Sequence, residues 1–573
     1  MLKRSQPSIA VIADAHFHDL EGDFDFPGMT IDGQRMMVRS WVETRQSTRV
    51  FNESAKALSV ALDEVRQRGI RHVVLLGDYT DDGQRQTTAS LRRILDRHAS
   101  EYGTAFYALP GNHDIFGPSG RNHTKEFLDQ DGASVWVTSD PASRAEGVIV
   151  TPRMYCEGYP SGLGPMAAYG YFRKPDYLHW ETPFGLSDDV ESRRYDVVSP
   201  DGSNRYSLMD ASYLVEPEPG IWLLMIDANV FEPRDGTFES GEEAAFVDST
   251  AAGWNAMLRL KPFIVSWIAD VCARAKALDK TVLAFSHYPA LDPFDGATGA
   301  ERVLFGETNI ARRTPRDAVT DALIGAGLAV HFSGHLHVEG VTRRGRRERQ
   351  LTNVAVPSLV AYPPAFKIVQ PVNNGIVVDT VELQAAALDP RLAQAYRRET
   401  ERLAEAGDVA FGAEDYGAFL RAHKLALVHH RYFPKEWPQD VVSRVSKATL
   451  AAICADLIDA DAAAHAVHAL AKTCGMSSEQ VAACRMIDVI ADWYCLRQAA
   501  HLALPAIAPQ RLRLYRALAE RFGREPETGW DDSVAGFLSI FLGAFAAFLD
   551  RAENGARRIE IILQRDAKEV VCS

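Results

Sequence analysis

Polar side chains that can bind a metal or transfer a proton stand directly after a short apolar run at residues 105–109. The run has the composition of a buried strand and ends at Pro110-Gly111, and Asn112, His113 and Asp114 follow at once. A strand that stops at a Pro-Gly turn presents its next side chains at the carboxyl edge of a sheet, where open α/β folds place their sites. Alone, this signal is weak, because Asn, His and Asp are also ordinary loop residues.

Four other strand-like runs also end in polar residues, and a shared sheet edge would bring all of these side chains together. With His113 set aside, the candidate ligands are two carboxylates, one amide and four imidazoles: Asp14, His16, Asp78, Asn112, His287, His335 and His337. This mixture of oxygen and nitrogen donors suits borderline divalent metals. Seven ligands are too many for one tetrahedral zinc. They favour two cations that share a bridging carboxylate, which activates a water for displacement at phosphorus.

The same residues form motif blocks that closely resemble those of the calcineurin-like metallophosphoesterase superfamily. The blocks are Asp14-x-His16, Gly77-Asp78-x-x-Asp81, Gly111-Asn-His-Asp114, Ser286-His287 and Gly334-His-x-His337. All five occur in the family's order, and the resemblance covers roughly the first two thirds of the chain. One block alone would be weak support, whereas five in register are a strong match. The resemblance implies a four-layer α/β/β/α sandwich.

The resemblance also implies which ligands share a cation. One cation would be held by Asp14, His16 and His337. The other would be held by Asn112, His287 and His335. Asp78 would bridge the two together with a hydroxide. The expected cofactors are therefore two divalent metal ions, and Mn, Fe, Zn, Ni and Co all fit this donor set.

Two neighbouring residues are predicted to be catalytic. By resemblance, His113 would protonate the leaving oxygen or stabilise the transition state, and an imidazole has a suitable pKa for this role near neutral pH. Asp114 would orient His113, although the family often has Glu at that position. Asp81 and Asp82 are interpreted as turn and helix-start residues.

Arginines in the loop after Asp14-x-His16 are candidates for binding the substrate. A guanidinium at the carboxyl edge could match the oxygens of a phosphate, and Arg45 and Arg49 are assigned this role. Ordinary salt bridges at the surface or in the structure explain these arginines about equally well.

The order of the elements predicts two domains. Alternating strands and helices up to residue 109 are typical of a parallel sheet with right-handed crossovers. A long loop-like insertion rich in aromatic residues follows at about residues 115–220, and such insertions are usually lids or binding loops. We predict a metallophosphoesterase domain at residues 1–385 and an all-α C-terminal domain at residues 386–573.

Composition limits the partners and the compartment. The formal charge of −14 argues against a general nucleic-acid binder, so no nucleic acid is expected as a partner. Residues 533–549 carry no charge, but their glycines and charged flanks favour a core helix over a membrane span, so no membrane is expected either. No apolar signal region precedes the first strand, which predicts a cytoplasmic protein.

Together these observations predict an enzyme that hydrolyses a small-molecule phosphate ester by means of a hydroxide bridging two divalent metals. The aromatic insertion favours a phosphodiesterase acting on a cyclic nucleotide or another nucleotide-like diester. Alternatives are a phosphomonoesterase or protein phosphatase, a non-catalytic binding scaffold with the same fold, and a nuclease, which the net charge makes unattractive. The helical domain could cover the site or mediate a homo-oligomer.

Overall fold

The computed structural model describes residues 7–239, 241–346, 349–525 and 533–563. Two parts of the predicted C-terminal domain, residues 526–532 and 564–573, lie outside these ranges, as do residues 1–6 of the N-terminal one.

The strands are numbered along the chain: β1 (Ile9–Ile12), β2 (Met29–Ile31), β3 (Gln34–Met36), β4 (His72–Leu76), β5 (Ala105–Leu109), β6 (Thr124–Leu128), β7 (Ser134–Thr138), β8 (Ile149–Val150), β9 (His179–Glu181), β10 (Arg194–Val198), β11 (Arg205–Met209), β12 (Tyr213–Glu218), β13 (Ile221–Met225), β14 (Thr281–Phe285), β15 (Val330–Ser333), β16 (Gly340–Arg346), β17 (Arg349–Ala355), β18 (Ala365–Val372), β19 (Gly375–Glu382) and β20 (Arg558–Ile562).

The α-helices are numbered in the same way: α1 (Trp41–Thr44), α2 (Ser54–Gln67), α3 (Arg85–Tyr102), α4 (Gly253–Leu260), α5 (Pro262–Ala277), α6 (Thr298–Phe305), α7 (Asn309–Arg313), α8 (Asp317–Gly325), α9 (Pro390–Arg402), α10 (Tyr416–Leu427), α11 (Phe433–Lys435), α12 (Gln439–Val445), α13 (Leu450–Leu457), α14 (Ala460–Cys474), α15 (Ser478–Ala483), α16 (Met486–Ala499), α17 (Pro509–Phe522) and α18 (Val534–Glu553).

Two large mixed sheets form the centre of the fold. The first has the strand order β20-β19-β18-β1-β4-β5, with β1, β4 and β5 parallel to one another. The second has the order β16-β17-β15-β14-β13-β12-β9, with β13, β14, β15 and β17 parallel. Parallel neighbours end at the same edge of a sheet, so the residues that follow β1, β4 and β5 lie together, as do those that follow β14 and β15.

The alternation of side chains along the strands packs the two sheets face to face. In β13, Ile221 and Leu223 belong to the core that includes the first sheet, whereas Trp222 and Leu224 pack with apolar residues of α4, α5 and α8. Successive side chains of a strand point to opposite faces, so one buried strand serves both layers. The apolar faces of α2 and α3 join the core of the first sheet. The predicted α/β/β/α sandwich is confirmed.

The predicted insertion at residues 115–220 is more regular than a loop. β6, β7 and β8 form a small sheet, β10 and β11 form a hairpin, and β9 and β12 extend the second large sheet at its edge. These strands are short, and several of them alternate exposed and buried residues. The alternation is therefore short and broken by turns, which explains why the segment has the sequence signature of a loop.

The helical region from α9 to α18 packs directly on the sandwich. Trp41 of α1 is fully buried against Tyr396 of α9 and Phe419 of α10, with ring centroids 5.2 and 5.8 Å away. The Trp41 backbone N–H donates a hydrogen bond of 2.6 Å to the carboxylate of Glu399, and the Ser40 hydroxyl also donates to it. The start of α1 is therefore held by the helical region.

The long apolar helix α18 lies inside this helical region. It is long and apolar enough to cross a membrane by length and composition. Along its length, however, Leu538, Phe541, Phe545 and Phe548 are buried by other residues of the chain. This burial is expected of a core helix.

The last described strand returns to the first sheet. β20 pairs antiparallel with β19, with Ile376 opposite Ile561. In the sequence, the helical region therefore comes between two strands that are neighbours in one sheet. The part of the chain predicted to be all-α contains β20 as well. The domain boundary at residue 385 stays a prediction.

A buried lysine at the junction of the two regions gives a pH-dependent stability. Lys424 in α10 is almost fully buried and donates a hydrogen bond to the side-chain oxygen of Gln498. Burial lowers the pKa of Lys424 from its ordinary value near 10.5 to about 7. Between these values the unfolded chain holds a proton that the folded chain has released, so the free energy of unfolding rises with pH by about 1.4 kcal/mol per pH unit.

We predict that the Lys424→Met variant lacks this rise. Denaturant unfolding at pH 7, 8 and 9 should show the wild type gaining stability relative to Lys424→Met as the pH increases. Lys276→Met, at an exposed lysine of α5, is the matched control and should follow the wild type. Parallel pH profiles for the wild type and Lys424→Met would show that Lys424 keeps its charge in the folded state.

Candidate metal centre

The predicted metal ligands follow five strands whose ends meet between the two sheets. Asp14 and His16 follow β1, Asp78 follows β4, and Asn112 follows β5; His287 follows β14, and His335 and His337 follow β15. All seven are buried, each with at most 7% of its surface exposed. The structure brings together residues that are up to 323 positions apart in the sequence.

The first group consists of Asp14, His16 and His337. The Nε2 atoms of the two imidazoles are 3.1 Å apart, and His337 Nε2 lies 3.4 Å from Oδ1 of Asp14. The ligand atoms all lie within 4.8 Å of one another, so they could hold one cation.

The second group consists of Asp78, His287 and His335. His287 Nε2 lies 3.1 Å from Oδ2 of Asp78 and 3.2 Å from Nδ1 of His335. The same Asp78 oxygen is 3.8 Å from Nε2 of His16, which belongs to the first group. Asp78 therefore lies between the two groups, where a shared ligand would have to be.

Asn112 adds an amide oxygen without a protein partner. The side chain is buried, and its Oδ1 accepts no hydrogen bond from any residue that the structure describes. The backbone N–H of the next residue, His113, donates a bond of 2.7 Å to Asp78, which places Asn112 beside the second group. A buried polar atom without a partner costs about 1–3 kcal/mol, and a bound cation would remove this cost.

The charge states of the imidazoles suit cation binding. Burial holds the pKa of His16 well below its usual value, and burial together with the nearby Arg313 does the same for His335. Both rings are therefore neutral, the form in which histidine binds a metal. Burial would also lower the pKa of His287, but the Asp78 carboxylate raises it to about 9, so a cation there would displace a proton. The donor set fits two divalent cations.

Glycines of the motifs make room for the ligands. A Cβ atom on Gly111 would collide with the Asp78 carboxylate, and one on Gly334 would collide with that of Asp14. Neither glycine has a positive φ, so the requirement is steric. The Asp14 carboxylate also accepts the His335 backbone N–H at 3.0 Å, so the Gly334 turn fixes Asp14 closely.

Five ligands have a left-handed backbone. The φ angles are +50° at Asp14, +41° at His16, +47° at Asp78, +70° at His335 and +55° at His337. Non-glycine residues rarely adopt such angles, which cost of order 1–2 kcal/mol each. Strain of this kind is maintained by surrounding structure and clusters at functional sites.

The predicted proton donor His113 is held by a residue that sequence reasoning assigned to a turn. Its Nδ1 forms a short hydrogen bond with Asp82, and Arg49 lies 3.3 Å from the same ring. The predicted orienting residue Asp114 instead accepts hydrogen bonds from the backbone of Gly111 and from the backbone and hydroxyl of Thr80, at 2.7 to 2.9 Å. In this structure Asp82, rather than Asp114, therefore orients His113, because the carboxylate of Asp114 ties the β4 and β5 loops together.

The two predicted substrate-binding arginines differ in their surroundings. Arg49 lies beside His113 but also pairs with Asp81 at 2.8 Å and with Asp82 at 3.3 Å. Arg45 forms two hydrogen bonds, of 2.6 and 3.0 Å, with Glu405, just after α9. Arg45 therefore links the sandwich to the helical region, and the salt-bridge alternative describes it better than substrate binding.

Sequence reasoning missed a buried cluster of charges behind His113. Asp81 is fully buried and contacts Lys125 of β6 and both Arg39 and Arg49 at 2.8 Å. These cations hold the pKa of Asp81 far below its usual value against the opposing effect of burial. The motif spacing Asp78-x-x-Asp81 could have indicated a structural role for Asp81, whereas no local pattern in the sequence indicates one for Lys125.

Sequence reasoning also missed Arg313 and Gln498. Arg313 of α7 lies near Tyr288 and His335, and its buried Nε has no hydrogen-bond partner among the described residues. The amide of Gln498 in α16 donates a hydrogen bond of 2.7 Å to the carbonyl oxygen of His337. The helical region therefore contacts the backbone of a predicted metal ligand.

The Gly334→Ala variant tests whether close packing holds the centre. The added Cβ should displace Asp14 and weaken cation binding roughly 10- to 100-fold, a loss typical of disturbed residues behind metal ligands. Metal analysis and chelator competition would measure the loss. Gly325→Ala is the control, since a Cβ there meets no atom within 4 Å. Unchanged affinity in Gly334→Ala would show that the turn does not fix Asp14.

A family match covers part of this site. The family model described as calcineurin-like phosphoesterase matches residues 7–184, which contain the first three motif blocks. No curated protein matches the chain.

Chains of solved structures match as well, and two of them are as follows. A dimetal phosphatase from Danio rerio is 15% identical, with 66% of this chain and 96% of that chain covered and a TM-score of 0.34. The phosphopantetheinyl hydrolase PptH from Mycobacterium tuberculosis is 10% identical, with 62% and 90% covered and a TM-score of 0.24. The resemblance predicted from the motifs is confirmed by the family match over residues 7–184.

Proposed function

We propose that this protein is a phosphodiesterase that hydrolyses a small-molecule phosphate ester at a centre of two divalent cations. The observation that carries the proposal is the position of Asp78 between two groups of ligands, beside an unpartnered Asn112 oxygen. Two cations held there would neutralise phosphoryl oxygens and lower the pKa of a water. The net charge of −14 supports a small-molecule substrate over a nucleic acid.

His113 is suited to protonating the leaving group. Its side chain is 29% exposed, whereas the metal-ligand candidates around it are buried. Because Nδ1–H donates to Asp82, Nε2 is the ring nitrogen that can take up a further proton and pass it to the ester oxygen as it leaves. Nη1 of Arg49 lies 3.4 Å from this Nε2. Asp82 fixes both the tautomer and the orientation of the ring.

The charges around the site favour a diester over a monoester. Arg49, the guanidinium nearest to His113, is paired with Asp81 and Asp82 and therefore contributes little net positive charge. Arg313, on the His335 side, adds one guanidinium charge near the centre. One such guanidinium matches the single negative charge of a diester better than the two charges of a monoester.

A panel of esters tests the proposed function. We expect purified protein loaded with Mn²⁺ or Zn²⁺ to hydrolyse bis(4-nitrophenyl) phosphate with a higher kcat/KM than 4-nitrophenyl phosphate. Asp78→Ala should lose both cations and all turnover, because Asp78 is the ligand that the two groups share. A preference for the monoester would overturn the diester assignment. Turnover by a metal-free Asp78→Ala would overturn the two-cation centre.

Removing His113 should affect poor leaving groups most. His113→Ala should keep its cations but lose activity roughly 100- to 10,000-fold on alkyl diesters, and much less on 4-nitrophenyl esters, whose leaving oxygen needs no proton. Asp82→Asn should show the same dependence with a smaller loss, and Asp63→Asn on the exposed face of α2 is the control. Equal losses on both ester types would contradict a role for His113 as proton donor.

A further inference from the structure

A cavity of about 470 Å³ lies where the sandwich meets the helical region. We call it the junction cavity. The chain before α9 contributes Tyr362 and Gln384 to its walls, and α10, α16 and α17 contribute the rest of the polar lining, which consists of Arg421, Asp488, Asp492 and Arg511. Among the described residues that line it, none is a predicted metal ligand or catalytic residue.

Tyr362 brings an unsatisfied hydroxyl group to this cavity. The side chain is fully buried, and its hydroxyl has no hydrogen-bond partner among the residues that the structure describes. Burial raises the pKa of this hydroxyl, so it keeps its proton, and the charges of Cys495, Arg421 and Asp492 also act on that pKa, which places the hydroxyl among the cavity residues. A buried polar group without a partner is costly. The hydroxyl is therefore a donor that a bound molecule can satisfy.

The charged groups of the walls leave one positive charge without a counterpart. The carboxylate of Asp492 is buried and lies between two guanidinium groups, 3.2 Å from that of Arg421 and 2.9 Å from that of Arg511. The other acidic group, Asp488, already pairs with Arg485 at 2.7 Å. Two guanidinium groups thus share the single carboxylate of Asp492. One further negative charge in the cavity would complete the balance.

These walls suit a small carboxylate with an apolar body. A carboxylate is planar, matches the fork of a guanidinium and can accept a hydrogen bond from the Tyr362 hydroxyl. Each guanidinium has five N–H donors, so Asp492 and the backbone oxygens nearby do not use all of them. The remaining wall is apolar or small and consists of Gly417, Ala418, Ala422, Leu425, Ala491, Cys495 and Ala506. A phosphate monoester, with nearly two negative charges at pH 7, would exceed the charge balance.

Two walls of the junction cavity continue to the metal centre. Gln498, on the same helix as Asp492, donates a hydrogen bond of 2.7 Å to the carbonyl oxygen of His337. In the loop that carries Tyr362, the hydroxyl of Ser358 donates a bond of 2.8 Å to the carbonyl oxygen of Asp14. Both acceptors belong to predicted ligands of the first group. A molecule that orders these two walls would therefore act on one cation site.

We propose that the junction cavity is a regulatory site for a small organic carboxylate with one negative charge, whose binding strengthens the cation site of Asp14, His16 and His337. Tyr362 and the two guanidinium groups bind the carboxylate, and the apolar wall contacts its body. Coupling of this kind is reciprocal, so the cation and the carboxylate raise each other's affinity by the same factor. The regulatory role does not depend on which ester is hydrolysed.

Benzoate and its uncharged isostere benzamide test the binding site. We expect calorimetry on the Mn²⁺-loaded wild type to show benzoate binding at least tenfold more tightly than benzamide. Tyr362→Phe removes a hydroxyl without a described partner, so it should leave the unfolding midpoint unchanged and weaken benzoate binding at least fivefold. Tyr102→Phe, at an exposed tyrosine of α3, is the matched control and should bind as the wild type does. Absence of benzoate binding, equal binding of benzamide, or unchanged affinity in Tyr362→Phe would overturn the site.

A metal titration tests the regulatory role. Mn²⁺ is added to the metal-free wild type with and without benzoate, and the free ion is followed by its electron paramagnetic resonance signal. We expect benzoate to strengthen one of the two binding steps at least fivefold, benzamide to leave both unchanged, and Tyr362→Phe to lose most of the effect at the same benzoate concentration. Unchanged Mn²⁺ affinity would overturn the regulation, and a full effect in Tyr362→Phe would show that benzoate binds the cations directly, which would overturn it as well. Ester turnover enters neither measurement, so a failure here is distinct from a failure of the proposed phosphodiesterase.

Discussion

The structure depends on the burial of two carboxylates, one amide oxygen and four imidazoles at a single point between two sheets. Carboxylates in such a place are costly unless positive charge and hydrogen bonds surround them. Asp14 and Asp78 each accept a backbone N–H from a loop of another strand, and histidines surround both. The backbone around these ligands also adopts left-handed angles, and glycines stand where any side chain would collide with a carboxylate. The backbone conformation of these loops is therefore set by the space and the hydrogen bonds that the ligands require.

The helical region shares in this arrangement. Gln498 links its amide to the backbone of His337 and its side-chain oxygen to the buried Lys424. Arg497 of the same helix forms a buried ion pair with Glu301 of α6 at 2.5 and 2.6 Å. On the other side, Glu399 accepts hydrogen bonds from Ser40 and Trp41 at the start of α1. The loop that carries His337 is thus supported directly by a helix, so the helical region contributes to the geometry of the centre.

Much of the fold and of the centre was readable from the sequence. Each ligand follows an apolar run directly, and parallel strands end at a common edge, so local sequence was enough to predict which side chains would meet. Asp82 and Asp114 show the limit of this reasoning. Asp82 stands next to a motif and Asp114 ends one, and only the directions of their side chains, set by packing, decide which of the two reaches His113.

Other features had no local signal at all. Gln498 contacts a residue 161 positions away, and its neighbours in α16 have the pattern of an ordinary buried helix. Arg45 and Arg49 are four residues apart with the same chemistry, yet one faces His113 and the other faces Glu405. Hydrophobic periodicity predicts an element and its buried face, but the partner across that face depends on the whole tertiary structure.

The pairing of β20 with β19 has a consequence for biosynthesis. The sandwich strands up to β19 leave the ribosome long before residue 558, and until then the backbone N–H and C=O groups along the outer side of β19 have no partner in the sheet. An open strand edge that carries Ile376 and Val378 invites pairing with another nascent chain. Pairing along this edge must therefore wait for the synthesis of the helical region from α9 to α18, which makes translation of β20 the step that protects this edge from aggregation.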